Sequence, residues 1–193
     1  MVWEVATWKE LATLRGHKRQ VLGVAFSPDG ILLASVACPQ VGPGEIKLWD
    51  VSTWKDKATW KHGGGDLAFS PDSLLLATPA STSVNGTAGV VGAAHLWYVG
   101  TSKKKSTVTG HEGLVDTVAF SPDGTLLAAG GRDGLVKLWD MATGKEKATL
   151  TGHTDQVNCV AFSGDGKHIA SASNDKTVRI WNMPKIARAR GND

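Results

Sequence analysis

Short runs in which apolar residues alternate with small or polar ones recur along the chain, each closed by a turn signal. Val115 to Phe120 is one such run, ending at Ser121-Pro122-Asp123-Gly124. Thr125 to Ala129 is a buried-type apolar run closed by Arg132-Asp133-Gly134. Leu135 to Trp139 sets Val136 and Leu138 on one face and Lys137 on the other. The turn Ala142-Thr143-Gly144-Lys145 then leads into Ala148-Thr149-Leu150. The pattern predicts four short antiparallel strands.

The set repeats. All four Phe residues stand in one motif: Val24-Ala25-Phe26-Ser27, Leu67-Ala68-Phe69-Ser70, Val118-Ala119-Phe120-Ser121 and Val160-Ala161-Phe162-Ser163. Each is followed by Pro-Asp-Gly or a close variant. Trp recurs at 3, 49, 97, 139 and 181, at intervals of 46, 48, 42 and 42 residues. His17, His62, His111 and His153 precede their Phe by seven or nine residues. Residues 110–140 and 152–182 align without a gap at 13 identities in 31 positions. A sheet of such short strands cannot bury both faces alone, so the units are expected to stack radially, as propeller blades do.

The pattern Gly-His … Val-Ala-Phe-Ser-Pro-Asp-Gly … Trp-Asp resembles the WD40 repeat family of β-propellers. It is clearest in Gly110-His111 with Trp139-Asp140, in Gly152-His153 with Trp181-Asn182, and in Trp49-Asp50. The expected fold is all-β, a WD40-type β-propeller of four four-stranded blades. Residues 1–15 read as the end of a preceding blade plus an outer strand able to complete the last one. Residues 16–60 read as repeat 1, and 61–109 as a degenerate repeat 2 with a long insertion at 79–93. Repeat 3 spans 110–150, repeat 4 spans 151–182, and 183–193 is a basic tail. Three assemblies fit this count: a small closed ring, half of an eight-blade dimer, or part of a larger propeller.

The resemblance implies a buried hydrogen-bonded tetrad in each blade: the His, a Ser or Thr of the second strand, a turn Asp and the Trp. An indole N–H only donates, whereas hydroxyl, imidazole and carboxylate can close the chain of donors and acceptors. Repeat 4 has all four members, His153, Ser171, Asp175 and Trp181. Repeat 3 has His111, Asp133 and Trp139, with Ala129 in place of the hydroxyl. Repeat 1 has His17, Ser35 and Trp49, with Pro43 at the Asp position. Repeat 2 has His62, Thr78 and Trp97, with Val91 there. Order is expected to rise along the chain.

Composition changes this picture little. The chain has 193 residues, 41% apolar and 20% charged, as expected of a globular protein. Of its eight Trp, five mark the repeat and three, Trp8, Trp54 and Trp60, stand outside it. The net charge of +3 is too small to announce a nucleic-acid or membrane-surface partner. The N-terminus lacks a basic stretch followed by an apolar one, and the chain reads as soluble and cytoplasmic. Cys38 and Cys159 form neither a disulfide framework nor a zinc ligand set. Ser, His and Asp within one unit also fit a nucleophilic triad. They recur by repeat phase, however, and three of the four units lack a member. No catalytic, metal or cofactor residue is assigned.

The insertion at 79–93 and a smaller one at 38–44 fall between second and third strands. They map to the face that also carries the fourth-to-first-strand loops, which the resemblance gives as the usual binding face. The residues next to each His form the candidate partner-binding rim: Lys18, Arg19, Gln20, Glu112, Leu114, Asp116, Thr154, Gln156 and Asn158. The expected function is a non-catalytic scaffold for a protein or peptide partner, with a homodimer through open propeller edges as a further possibility. The alternative is a regulatory or sensor propeller domain of a larger enzyme or signalling protein, of which this is the C-terminal part.

Overall fold

The computed structural model describes residues 1–38, 44–61, 65–83 and 90–183. The described residues are all-β. Two short strands open the chain, β1 (Val2–Trp3) and β2 (Glu10–Ala12). The first full sheet holds β3 (Val21–Phe26), β4 (Leu32–Ala37), β5 (Glu45–Asp50) and β6 (Lys55–Lys61). The second holds β7 (Ala68–Phe69), β8 (Leu75–Ser83), β9 (Val90–Tyr98) and β10 (Lys104–Glu112). The third holds β11 (Val115–Phe120), β12 (Leu126–Gly131), β13 (Val136–Asp140) and β14 (Glu146–Leu150). The last holds β15 (Val157–Phe162), β16 (His168–Ser173) and β17 (Val178–Asn182). Each sheet is an antiparallel meander in chain order.

The turns explain why strands stop where they do. In the Ser-Pro-Asp-Gly turn, the Ser27 hydroxyl donates to Asp29 Oδ1 at 2.5 Å and accepts the Leu32 amide at 2.9 Å. Gly30 supplies the positive φ of 72° that reverses the chain. Ser70, Ser121 and Ser163 repeat this bond with Asp72, Asp123 and Asp165. Beyond the third strand, the Asp of the Trp-Asp pair caps the next turn: Asp140 Oδ1 accepts the amides of Ala142 and Thr143. That turn ends on a left-handed residue, Gly144 in the third sheet and Trp8 and Trp54 at the matching positions. Trp8 is exposed and Trp54 half-buried, while Trp60 packs against Trp97 between two sheets at 6.1 Å between ring centres.

The hydrophobic core is divided among the junctions between sheets. Leu32, Ala34, Ile46 and Leu48 of the first sheet meet Leu67, Phe69 and Leu76 of the second. Ala77, Leu96 and Val108 meet Val115, Val118 and Leu127 of the third. Leu126, Ala128, Val136 and Leu138 meet Val157, Val160 and Ile169 of the last. One face of each blade is thus the floor for the next, which is the stacking that radial repeats require.

Two elements add detail to the sequence reading. Within the insertion at 79–93, β8 and β9 continue as a paired ladder, Pro79 with Ala94, Ala80 with Ala93 and Ser83 with Val90. Thr82, Val90 and Val91, which lie in this ladder, are residue types that favour extended backbone. The N-terminal strand β2 pairs with β1, Val2 with Ala12 and Trp3 with Glu10. Among the described residues the last sheet therefore has three strands. Both ends of the arc show apolar side chains: Val24 and Phe26 at one, Val178 and Ile180 at the other. Among the described residues no helix is long and apolar enough to cross a membrane.

Candidate functional site

One face of the arc is built by two kinds of connection, from fourth to first strand and from second to third. They are tied together the same way in three sheets. The amide of Cys38 donates to the Gln20 carbonyl at 3.3 Å, that of Arg132 to Leu114 at 2.9 Å and that of Asn174 to Gln156 at 3.0 Å. Beneath these ties lie the tetrad residues.

In the last blade the network is complete. Trp181 Nε1 donates to Ser171 Oγ at 2.9 Å, Ser171 Oγ stands 2.8 Å from His153 Nε2, and His153 Nδ1 stands 2.7 Å from Asp175 Oδ2. Since the hydroxyl accepts from the indole, its own proton goes to Nε2, which assigns the ring proton to Nδ1 and directs it at the carboxylate. Asp175 Oδ2 also accepts the amide of Thr154 at 3.2 Å, so the buried network grips the backbone of a rim residue. The Thr177 hydroxyl chiefly, with His153 and the amides of Thr177 and Thr154, holds the Asp175 carboxyl well below the usual carboxylate range.

The other blades vary this scheme. In the third, Asp133 receives His111 Nδ1 at 3.0 Å and the Glu112 amide at 2.9 Å. With Ala129 where Ser171 stands in the last blade, His111 Nε2 is buried with no hydrogen-bond partner. In the first, Trp49 Nε1 donates to Ser35 Oγ at 2.8 Å and His17 Nε2 lies 2.7 Å from the same oxygen. The carboxylate is Glu45, at 2.8 Å from His17 Nδ1. Sequence reasoning missed Glu45, because it sits four residues before its Trp, where the last blade has Thr177, and not six before, where Asp175 stands. Pro43 and His62 lie outside the described residues. In the second blade Trp97 Nε1 donates to Thr78 Oγ1 at 3.1 Å, and Val91 is a ladder residue of β9.

The Ser-His-acid geometry of the first and last blades is that of a nucleophilic triad in distances only. Ser171 is 1% exposed and Ser35 is 4% exposed, and each hydroxyl already accepts an indole proton. A nucleophile must meet its substrate, and these oxygens face the interior. Among the described residues no group of three His, Cys, Asp or Glu is placed to hold a metal ion. Cys159 is surface-exposed, its thiol pushed up by partial burial and then by the Asp66 carboxylate, away from the reactive thiolate.

The rim side chains are a different population. Lys18, Arg19, Gln20, Glu112, Thr154 and Asn158 are exposed, and Leu114, Asp116 and Gln156 are half-buried. Their chemistry changes from blade to blade. The first carries Lys18 and Arg19. The third carries Glu112 and Asp116, with Asp116 Oδ2 bound to Arg132 Nε at 3.2 Å. The last carries a neutral amide chain, in which Gln156 Nε2 donates to Asn158 Oδ1 at 2.8 Å and Asn158 Nδ2 donates to Asn174 Oδ1 at 2.5 Å. The structure thus sets the rim side chains on one face over the buried tetrads.

Comparison with known proteins agrees with this geometry. The family model described as "WD domain, G-beta repeat" matches residues 8–50, 102–140 and 144–182. The WD repeat-containing protein SL1-17 of Schistosoma mansoni is 33% identical over 136 residues, 69% of this chain and 41% of that protein. Small ribosomal subunit protein RACK1z of Arabidopsis thaliana is 61% identical over 33 residues, 17% of this chain and 10% of its own length. Elongator complex protein 2 of Dictyostelium discoideum is 34% identical over 55 residues, 28% of this chain and 6% of its own. In each case the chain spans less than half the length of the relative it matches.

Proposed function

The chain belongs to the WD40 repeat family, and from that premise we propose that it is a non-catalytic scaffold whose rim binds a protein or peptide partner. The observation that carries this reading is the division of labour on the rim face. In the last blade the polar residues the fold needs are buried and paired, as in the His153 network, while the rim residues are exposed or half-buried and differ among the first, third and last blades. Lys18 and Arg19 on one blade and Glu112 and Asp116 on another make a surface of mixed sign. Such a surface suits a folded partner or peptide better than a polyanion, which would need one continuous basic stripe. Two of the relatives carry names that place them in larger assemblies, a ribosomal subunit and the Elongator complex, and this favours an assembly role over a solitary one.

The test is affinity purification of the tagged full chain from its native cell, run beside two variants. One reverses rim charges (Lys18→Glu, Arg19→Glu, Glu112→Lys). The other reverses Lys55 and Lys145, beside the third-to-fourth-strand turns of the opposite face. The expected result is one partner held by the wild type and by the opposite-face variant and depleted about tenfold or more with the rim variant. Equal recovery with the rim variant, or turnover of a substrate by the purified chain, contradicts the reading.

A further inference from the structure

On the face opposite the rim, the junction between the second and third blades is built differently from the one before it. At the first junction the turns meet through Ser73, a buried residue whose hydroxyl accepts the Asp29 amide at 3.1 Å. At the next, Gly124 stands in the place of Ser73 and brings no side chain across to Pro71. A Cβ there would lie 3.5 Å from Pro71 Cδ, an ordinary contact. The apolar residue behind each turn differs too: Leu32 and Leu126 are 8% and 2% exposed, whereas Leu75 is half-buried. The junction holds a cavity of about 360 Å³, walled by Pro71, Asp72 and Leu75 from one blade and Phe120, Asp123 and Gly124 from the other. That volume is in the range of small-ligand sites.

Its walls combine apolar surface, from Leu75 and the half-buried Phe120, with two carboxylates. Asp72 Oδ1 accepts the Ser70 hydroxyl and the Leu74 amide, and Asp123 Oδ1 accepts the Ser121 hydroxyl and the Thr125 amide. Among the described residues Oδ2 of each takes no hydrogen bond, and neither carboxylate has an ion-pair partner. The last blade shows what is missing: Lys167, two residues after Asp165, pairs with it at 3.4 Å. Leu74 and Thr125 occupy that place after Asp72 and Asp123. The Ser70 hydroxyl, the Leu74 amide and, more weakly, the Lys105 charge hold the Asp72 carboxyl below the usual range. Burial lifts the Asp123 carboxyl, and its bonds from Ser121 and Thr125 lower it by more. Lys105 Nζ itself stands over the Tyr98 ring, 6.0 Å from its centre.

Apolar surface continues beside the cavity. In the other full sheets and the last one the third-strand Trp is followed by Asp50, Asp140 or Asn182, but in the second blade by Tyr98. Tyr98 lies opposite Leu75 in the ladder, so the two side chains leave the sheet on the same side. Tyr98 is 45% exposed, and Leu74, whose amide Asp72 holds, is 64% exposed.

We propose that this cavity is a second docking site, on the face opposite the rim, for an arginine side chain of a peptide segment whose neighbouring apolar side chain lies on Leu74 and Tyr98. The charge selects a cation, because two carboxylates from different blades face one space without a counter-ion. The apolar walls select one with a long stem, which Leu75 can cover while the head stays with the carboxylates. A guanidinium fits best: it is planar, carries donors enough for two carboxylates, and stacks on an aromatic ring such as Phe120. A bare metal ion would leave the apolar walls unused. The exposed Leu74 and Tyr98 make the occupant part of a peptide, since a free cation has nothing to place on them. The site shares no residue with the rim and goes beyond the function proposed for it.

The test titrates the isotope-labelled full chain with the dipeptide N-acetyl-Leu-Arg-amide and follows the amide NMR signals. Saturable shifts are expected in segments 72–75 and 120–125, with a Kd on the order of 1 mM or tighter and the rim segments unmoved. The same dipeptide with citrulline keeps the shape without the charge and is expected to bind about tenfold or more weakly. Two variants probe the walls. Asp123→Asn keeps the turn acceptor and removes the charge. Gly124→Ser imports the Ser73 side chain, which already stands at a similar left-handed φ, 62° against 71°. Each is expected to weaken binding about tenfold or more. No saturable shift at these turns, shifts at the rim alone, equal binding of the citrulline dipeptide, or undiminished affinity in both folded variants overturns the proposal. Free arginine binding as tightly as the dipeptide also overturns it, because the apolar neighbour would then contribute nothing. Failure of the rim to hold a partner leaves these shifts in place, so the two readings fail separately.

Discussion

Ser171 and Ala129 occupy the same place in neighbouring blades, and the difference between them decides whether a buried imidazole is satisfied. Ser171 Oγ joins Trp181 and His153, whereas His111 Nε2 has no partner. An unpaired buried polar atom costs about 1–3 kcal/mol. Ala129→Ser is therefore expected to raise unfolding free energy by about 1 kcal/mol, and Ser171→Ala to lower it by about 2 kcal/mol, in denaturant titrations. No gain from Ala129→Ser would mean that the hydroxyl does not reach the ring. His95 gives a pH signature: burial, and then the Lys104 charge, push its pKa down to about 4 from 6.5. The folded state binds fewer protons there than the unfolded state, so this contribution is complete above pH 6.5 and is lost as pH falls toward 4. Wild type is expected to lose on the order of 1 kcal/mol more than His95→Gln between about pH 7.5 and 5, as followed by thermal unfolding. The tetrad of the last blade was expected from the family resemblance that the repeated His, Phe and Trp positions carry. Glu45 was not, since no spacing rule says which nearby carboxylate swings under His17.

Among the strands, alternation and turn chemistry marked nearly every element, yet they gave 79–93 only as an insertion, with no strand pairing assigned. Ser, Thr, Gly and Ala dominate there, and the pairing of 79–83 with 90–94 follows from β9 lying alongside β8, a long-range fact. Gly92 makes that extension possible. A Cβ at this position would lie 2.1 Å from the Gly113 carbonyl oxygen and 2.8 Å from His111 Cβ. Gly92→Ala is expected to destabilise the second and third blades by about 1–3 kcal/mol, and faster amide exchange along β9 and β10 would locate the damage. An unchanged exchange pattern would count against the packed hairpin. Strand patterning also says nothing about whether a strand face is covered. Val178 and Ile180 read like Val136 and Leu138 in sequence, but only the latter pair has a blade stacked on it.

The whole molecule is an arc of repeated sheets in which one set of residues holds the blades and another is left outward. The buried carboxylates connect the two sets, because Asp133 and Asp175 hold the backbone of Glu112 and Thr154 in place. This fixes the rim loops without using their side chains, as the recognition surface proposed for this face needs. The measurement that bears most directly on this is amide hydrogen exchange of the full chain with and without its captured partner. Slower exchange in the rim segments 18–20, 112–116 and 154–158 is the expected result. Slowing confined to the opposite turns, 27–31, 121–125 and 163–167, with the rim unchanged, would contradict it.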